Sequence, residues 1–102
     1  MKYTTEDFID DVDKLQFEND NELAYYRGKA DGYATATDMA FTAKNLEPLE
    51  DKLYSYRQQL IQDKEELRHK DNWVEEERRF IYGQLDAIDE VRDLLLDKKG
   101  VV

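Results

Sequence analysis

Leu46, Leu53, Leu60, Leu67, Val74, Ile81, Ile88 and Leu95 place a branched apolar side chain at every seventh position without a break. That period fits the seam of an α-helix and not a strand, whose faces alternate every second residue. The positions three residues further on are Leu49, Tyr56, Asp63, Lys70, Glu77, Gln84 and Val91, so the middle of the seam is polar. Two arrangements follow. The unbroken register favours one continuous coiled-coil helix. The charge pattern favours a hairpin: Arg68, His69 and Lys70 suit a helix C-terminus, Asn72 with Glu75 makes an N-cap pair, and Glu75, Glu76 and Glu77 suit a helix N-terminus. The hairpin reading puts a turn near His69–Asn72 between helices at about 48–70 and 73–97, with Gly100 just past the end.

The first half of the chain reads as helix as well. Thr4 or Thr5 can cap a helix over about 5–17, with Asp7 placed for a capping-box bond. Phe8, Val12 and Leu15 recur at i, i+4 and i+7, and the polar run Glu18–Glu22 ends the pattern. A second helix spans about 21–44 and carries two stripes. Leu23, Tyr26, Ala30, Tyr33, Thr37 and Phe41 form the larger one, which the usual amphipathic pattern turns inward. Ala24, Gly28, Gly32, Ala36 and Ala40 form a small-residue stripe at strict i+4 spacing. Each Gly inside a helix costs about 1 kcal/mol relative to Ala, so a stripe with two of them points to a second backbone approaching closely. The competing pattern is a β-hairpin turning at Asp31–Gly32 with Tyr33–Thr37 as a strand. Asn45 suits the residue just past the second helix, and Pro48 the first turn of the third. The fold predicted is all-α: one domain over 1–102, a small bundle of three to four helices with a long helical hairpin or coiled-coil segment.

Composition narrows function. Of the 102 residues 39% are charged, and the net charge of −10 repels nucleic acid and anionic membranes while favouring a basic partner. There is no Cys, which removes disulfides, thiolate catalysis and Cys-based zinc sites. No apolar run approaches the ~18 residues of a membrane span. The acidic start, with Glu6, Asp7, Asp10 and Asp11, is the opposite of a signal peptide, so a cytoplasmic location is expected.

Catalytic and metal motifs fail on inspection. His69, the one histidine, forms E-x-x-H with Glu66, but a di-iron bundle requires that pair twice, and positive charge at a helix end explains the residue as well. Asp10, Asp11, Asp13, Glu18 and Asp20 lack the spacing and the Gly of a calcium loop. Gly28 and Gly32 are not followed by Gly-Lys-Ser/Thr, so they form no phosphate loop. Nothing in the spacing supports a glycosidase-type pair of carboxylates. Arg57, Arg68, Lys70, Arg78 and Arg79 each lie among acids at helical spacing, which reads as surface pairing, not direct nucleic-acid binding. No enzyme activity, metal or cofactor is expected.

Two surfaces remain as candidate binding sites. Asp86, Asp89, Glu90, Asp93 and Asp97 line one face of the last helix. One charge per turn is one per ~5.4 Å, against one per ~1.7 Å in duplex DNA, so this stripe alone is too sparse to imitate a duplex. The acidic first helix would have to add to it. Tyr25, Tyr54 and Trp73 are the aromatics least committed to inward stripes, and Tyr and Trp are enriched in binding hot spots. The Tyr/Gly/Ala-rich segment Tyr26–Ala40 with its acidic flanks resembles the short acidic accessory proteins of bacteriophages and prophages, including helical anti-CRISPR inhibitors. The resemblance is one of general character and carries no family site residues to this chain. It implies inhibition of a host nuclease by blocking its nucleic-acid groove, in the host cytoplasm. The contrasting expectation is an adaptor that forms a homodimer through its third and fourth helices.

Overall fold

The computed structural model describes residues 2–69 and 75–99. Asn72, Trp73 and Gly100, read above as a cap, a binding aromatic and a helix end, lie outside these residues. Four helices follow one another: α1 (Thr5–Glu18), α2 (Ala24–Ala43), α3 (Leu46–Arg68) and α4 (Glu75–Lys99). Among the described residues there is no strand, and Asp31 and Gly32 lie inside α2. The protein is an all-α bundle.

Local chemistry sets the helix ends. Thr4 is the N-cap of α1: its hydroxyl accepts the Asp7 N–H at 3.2 Å, and the Asp7 carboxylate accepts the Thr4 N–H at 3.0 Å. Two of the helix's unpaired donors are thereby satisfied. The Leu23 N–H donates to the Asn21 side chain at 3.0 Å and holds the turn into α2. The left-handed residue that ends α2 is Lys44, with φ 64°, and not Asn45. Asn45 is extended and serves as the N-cap position of α3, so the connection is one residue tighter than expected. Pro48 falls in the first turn of α3, where its missing N–H leaves no helical bond unmade.

The seven-residue register runs through two helices that fold back on each other. Arg57 meets Asp89, Lys64 meets Tyr82 and Tyr54 meets Arg92, so α3 and α4 are antiparallel. The register survives the reversal because both helices turn the same kind of face to the core. Leu53, Leu60, Ile81, Ile88 and Leu95 are buried, and Leu46 and Leu67 pack half-buried against them. Burying a side chain of this size stabilises the fold by roughly 1.5–3 kcal/mol.

The closest contact joins α2 to α4, which run parallel. A Cβ built on Gly28 would meet the Phe80 carbonyl oxygen at 1.9 Å, and one on Gly83 the Tyr25 carbonyl oxygen at 1.9 Å. One turn along, a Cβ on Gly32 would meet the Ala87 Cβ at 2.8 Å. The small-residue stripe of α2 thus lies against Gly83 and Ala87 of α4, backbone to backbone. This contact corrects the expectation for the larger stripe. Turning Gly28, Gly32, Ala36 and Ala40 inward rotates Leu23 and Phe41 to the outside, where they are 62% and 78% exposed. Tyr33 alone of that stripe is fully buried. Phe8 and Val12 of α1, which packs chiefly on α2, complete the core. Among the described residues, no helix is long and apolar enough to cross a membrane.

Candidate functional site

The acidic stripe of α4 is divided between two neighbours. Asp86 accepts a hydrogen bond from the Tyr25 hydroxyl. Glu90 accepts one from the Tyr33 hydroxyl and pairs with the Lys29 ammonium at 2.9 Å. Both therefore lean toward α2, whereas Asp89 leans toward α3 and pairs with Arg57 Nε at 2.6 Å. Only Asp93 and Asp97 are exposed and make no such contact among the described residues. The five carboxylates do not form one free face, because a helix wedged between two others shares even its polar positions with them.

Lys29 is the feature that sequence reasoning missed. Its side chain is 8% exposed, and its ammonium lies between Glu90 and the Asn19 carbonyl at 3.2 Å, with the Tyr25 and Tyr33 rings within 5.9 Å. The Asn19 amide in turn donates to the Leu15 carbonyl and to the Tyr33 hydroxyl. The network ties α1, α2 and α4 together. A buried ammonium is tolerable only when paired and hydrogen-bonded in this way. The partners of Lys29 come from the end of α1, from α2 and from α4, so the network fastens these three helices to one another. A second buried polar group, Gln84, donates to Asp31 at 2.6 Å and to the Tyr56 hydroxyl at 3.3 Å, and fills the polar middle of the heptad seam.

The tyrosines report on this packing. Burial, and then the hydrogen bond to Glu90, pushes the Tyr33 hydroxyl far above its ordinary 10.0. The hydrogen bond to Asp86, and then burial, pushes Tyr25 up to about 12. Burial, and then Asp11, raises Tyr3 in the same direction. A hydroxyl harder to ionise in the folded chain than in the unfolded one contributes stability fully present below pH 10.0, lost as pH rises through the folded value. Stability should accordingly fall between pH 10 and 12, and Tyr33→Phe should flatten that fall. Absorbance titration of the tyrosines alongside circular dichroism checks this. Synchronous ionisation of every tyrosine near pH 10.0 with the helices intact would contradict it.

Of the other residues singled out, Tyr54 is 53% exposed and holds the Arg92 guanidinium 5.5 Å from its ring centre. Tyr25 is half-buried and stacked edge-on against Tyr26 at 5.2 Å. Glu66 and His69 are both exposed. Among the described residues, no three His, Asp or Glu side chains converge as a metal ion would require.

A cluster of unpartnered acids lies on α1 and the turn that follows it. Residues 2–22 hold eight of the 25 acids and only two of the 15 bases. Glu6, Asp10, Asp13 and Phe17 recur along one exposed face. Among the described residues, the carboxylates of Glu6, Asp10, Asp13, Glu18, Asp20 and Glu22 make no hydrogen bond or ion pair. The signal was legible as the acidic start of the chain. What distinguishes it from α4 is the want of internal partners, which requires the fold. No protein-family model matches this sequence, and neither a curated protein nor a solved structure matches it.

Proposed function

We propose that this chain is a non-catalytic binding protein that docks on the basic surface of a nucleic-acid-binding protein and modulates it by occupying that surface. The observation that carries the reading is the set of unpaired carboxylates on α1, extended by Asp93 and Asp97 on α4. Apart from Glu6, whose charge suits the first turn of α1, these exposed acids without internal partners contribute little to the fold beyond hydration. Their field, part of a net charge of −10, attracts cationic surfaces and repels nucleic acid. A nuclease blocked in its nucleic-acid groove is the partner that the likeness to phage accessory proteins implies, and the host cytoplasm is where such an inhibitor acts. Self-association through α3 and α4 is the weaker reading. The heptad residues that would face a second copy are largely committed to the chain's own core.

Affinity capture of the partner followed by titration at low and high salt tests this. Affinity should fall steeply as salt rises, since exposed charge pairs are screened beyond ~8 Å at physiological ionic strength. Salt-independent binding would overturn the reading.

A further inference from the structure

We infer that the groove between the end of α1 and the start of α2 is the docking site for a basic segment of the partner that carries an apolar anchor. The inference rests on the basic-partner reading and gives it a place. Phe17, in the last turn of α1, is 84% exposed, the largest exposure among the large apolar side chains described. Between the two helices runs an open groove of about 590 Å³, lined by Phe17, Ala30 and Gln16, with Asp13, Asp20 and Glu22 around it. Those three carboxylates make no hydrogen bond or ion pair among the described residues.

Charge selects the occupant. Phe17 and Ala30 are the apolar lining of the groove, and the three carboxylates around them form its polar rim. An apolar anchor flanked by Lys or Arg satisfies both the ring and the three acids. The form that presents such residues together is an amphipathic basic helix laid into the groove. A second copy of this chain would bring a net charge of −10 against the same acidic rim, and nucleic acid would bring phosphates. Arg27, on the α2 wall, is the groove's one cation and leaves the balance negative.

The test titrates the full-length chain with three synthetic helical peptides of equal length: a Lys/Leu amphipathic helix, a Lys/Ser peptide of equal charge, and a Glu/Leu helix. Backbone amide shifts are followed by NMR. The Lys/Leu peptide should bind with shifts concentrated over residues 13–30, at least tenfold more tightly than the Lys/Ser peptide, and the Glu/Leu helix should not bind. Phe17→Ser should erase the preference for Lys/Leu with the circular dichroism unchanged. Equal affinity for the two Lys peptides, or shifts centred on Asp93 and Asp97, would overturn the groove while leaving the basic-partner reading intact. No binding by either Lys peptide would contradict both, as would equal binding of the Glu/Leu helix.

Discussion

Gly83→Ala should destabilise the fold by about 2 kcal/mol or more, although alanine is the better helix former. Two effects oppose each other. The substitution gains about 1 kcal/mol of helix propensity. Against that, the new Cβ would lie 1.9 Å from the Tyr25 carbonyl oxygen and 2.8 Å from the Lys29 nitrogen, both backbone atoms of a neighbouring helix. No rotamer change relieves such a contact, so α2 and α4 must separate, at an overpacking cost of about 3 kcal/mol. Gly28→Ala should behave alike, since its Cβ would meet the Phe80 carbonyl oxygen at 1.9 Å. Gly32→Ala should be milder, because its nearest neighbour at 2.8 Å is the methyl of Ala87. Thermal unfolding reads the series directly, with the melting temperature of Gly83→Ala falling by on the order of 10 °C. A rise in melting temperature would show that the helices do not touch backbone to backbone.

Glu90→Ala should cost about 2–3 kcal/mol, the second large effect. Removing one partner of a buried pair typically costs about 3–5 kcal/mol, because the remaining charge is stranded. The figure is reduced here because the Glu90 side chain is 41% exposed and water can partly replace it. Lys29, at 8% exposure, is the stranded group, and the Tyr33 hydroxyl loses its acceptor at the same time. The double variant Lys29→Met with Glu90→Leu should recover at least half of the loss, since buried ion pairs often yield to apolar residues of similar volume without penalty. A double-mutant cycle in urea measures the coupling. Additive effects, or a neutral Glu90→Ala, would remove Lys29 from the account of how α1, α2 and α4 are joined.

The features legible in the sequence are those with local causes. The capping box at Thr4 and Asp7, the break after Glu18 and the helical period of α2 each depend on residues a few positions apart. The small-residue stripe also predicted its own use, because Gly28 and Gly32 weaken an isolated helix and so imply a compensating contact. The outward turn of the larger stripe of α2 was not legible. Amphipathic patterning favours the larger one, and only the presence of Gly83 and Ala87 on α4 turns the smaller one inward. The reversal between α3 and α4 was ambiguous for a related reason: a seven-residue register is indifferent to whether its two halves continue or fold back. The candidate site suffered most. Asp86, Asp89 and Glu90 look like a free carboxylate face on a helical wheel. Their partners Tyr25, Arg57, Lys29 and Tyr33 stand 32 to 61 positions away along the chain.

Docking on a basic partner depends on that division of the acids, and one titration separates its halves. Asp10→Asn, Asp13→Asn and Asp20→Asn together neutralise the unpaired face beside α1, while Asp93→Asn with Asp97→Asn neutralises the free end of α4. Both sets of side chains are exposed, so neither variant should move stability by more than about 0.5 kcal/mol per site. With the captured partner at low salt, the α1 variant should bind roughly tenfold more weakly, about 1.4 kcal/mol, and show a shallower dependence on salt. The α4 variant should lose less. Affinity and salt dependence unchanged in the α1 variant would rule out docking through α1 and leave its carboxylates as a hydrated coat.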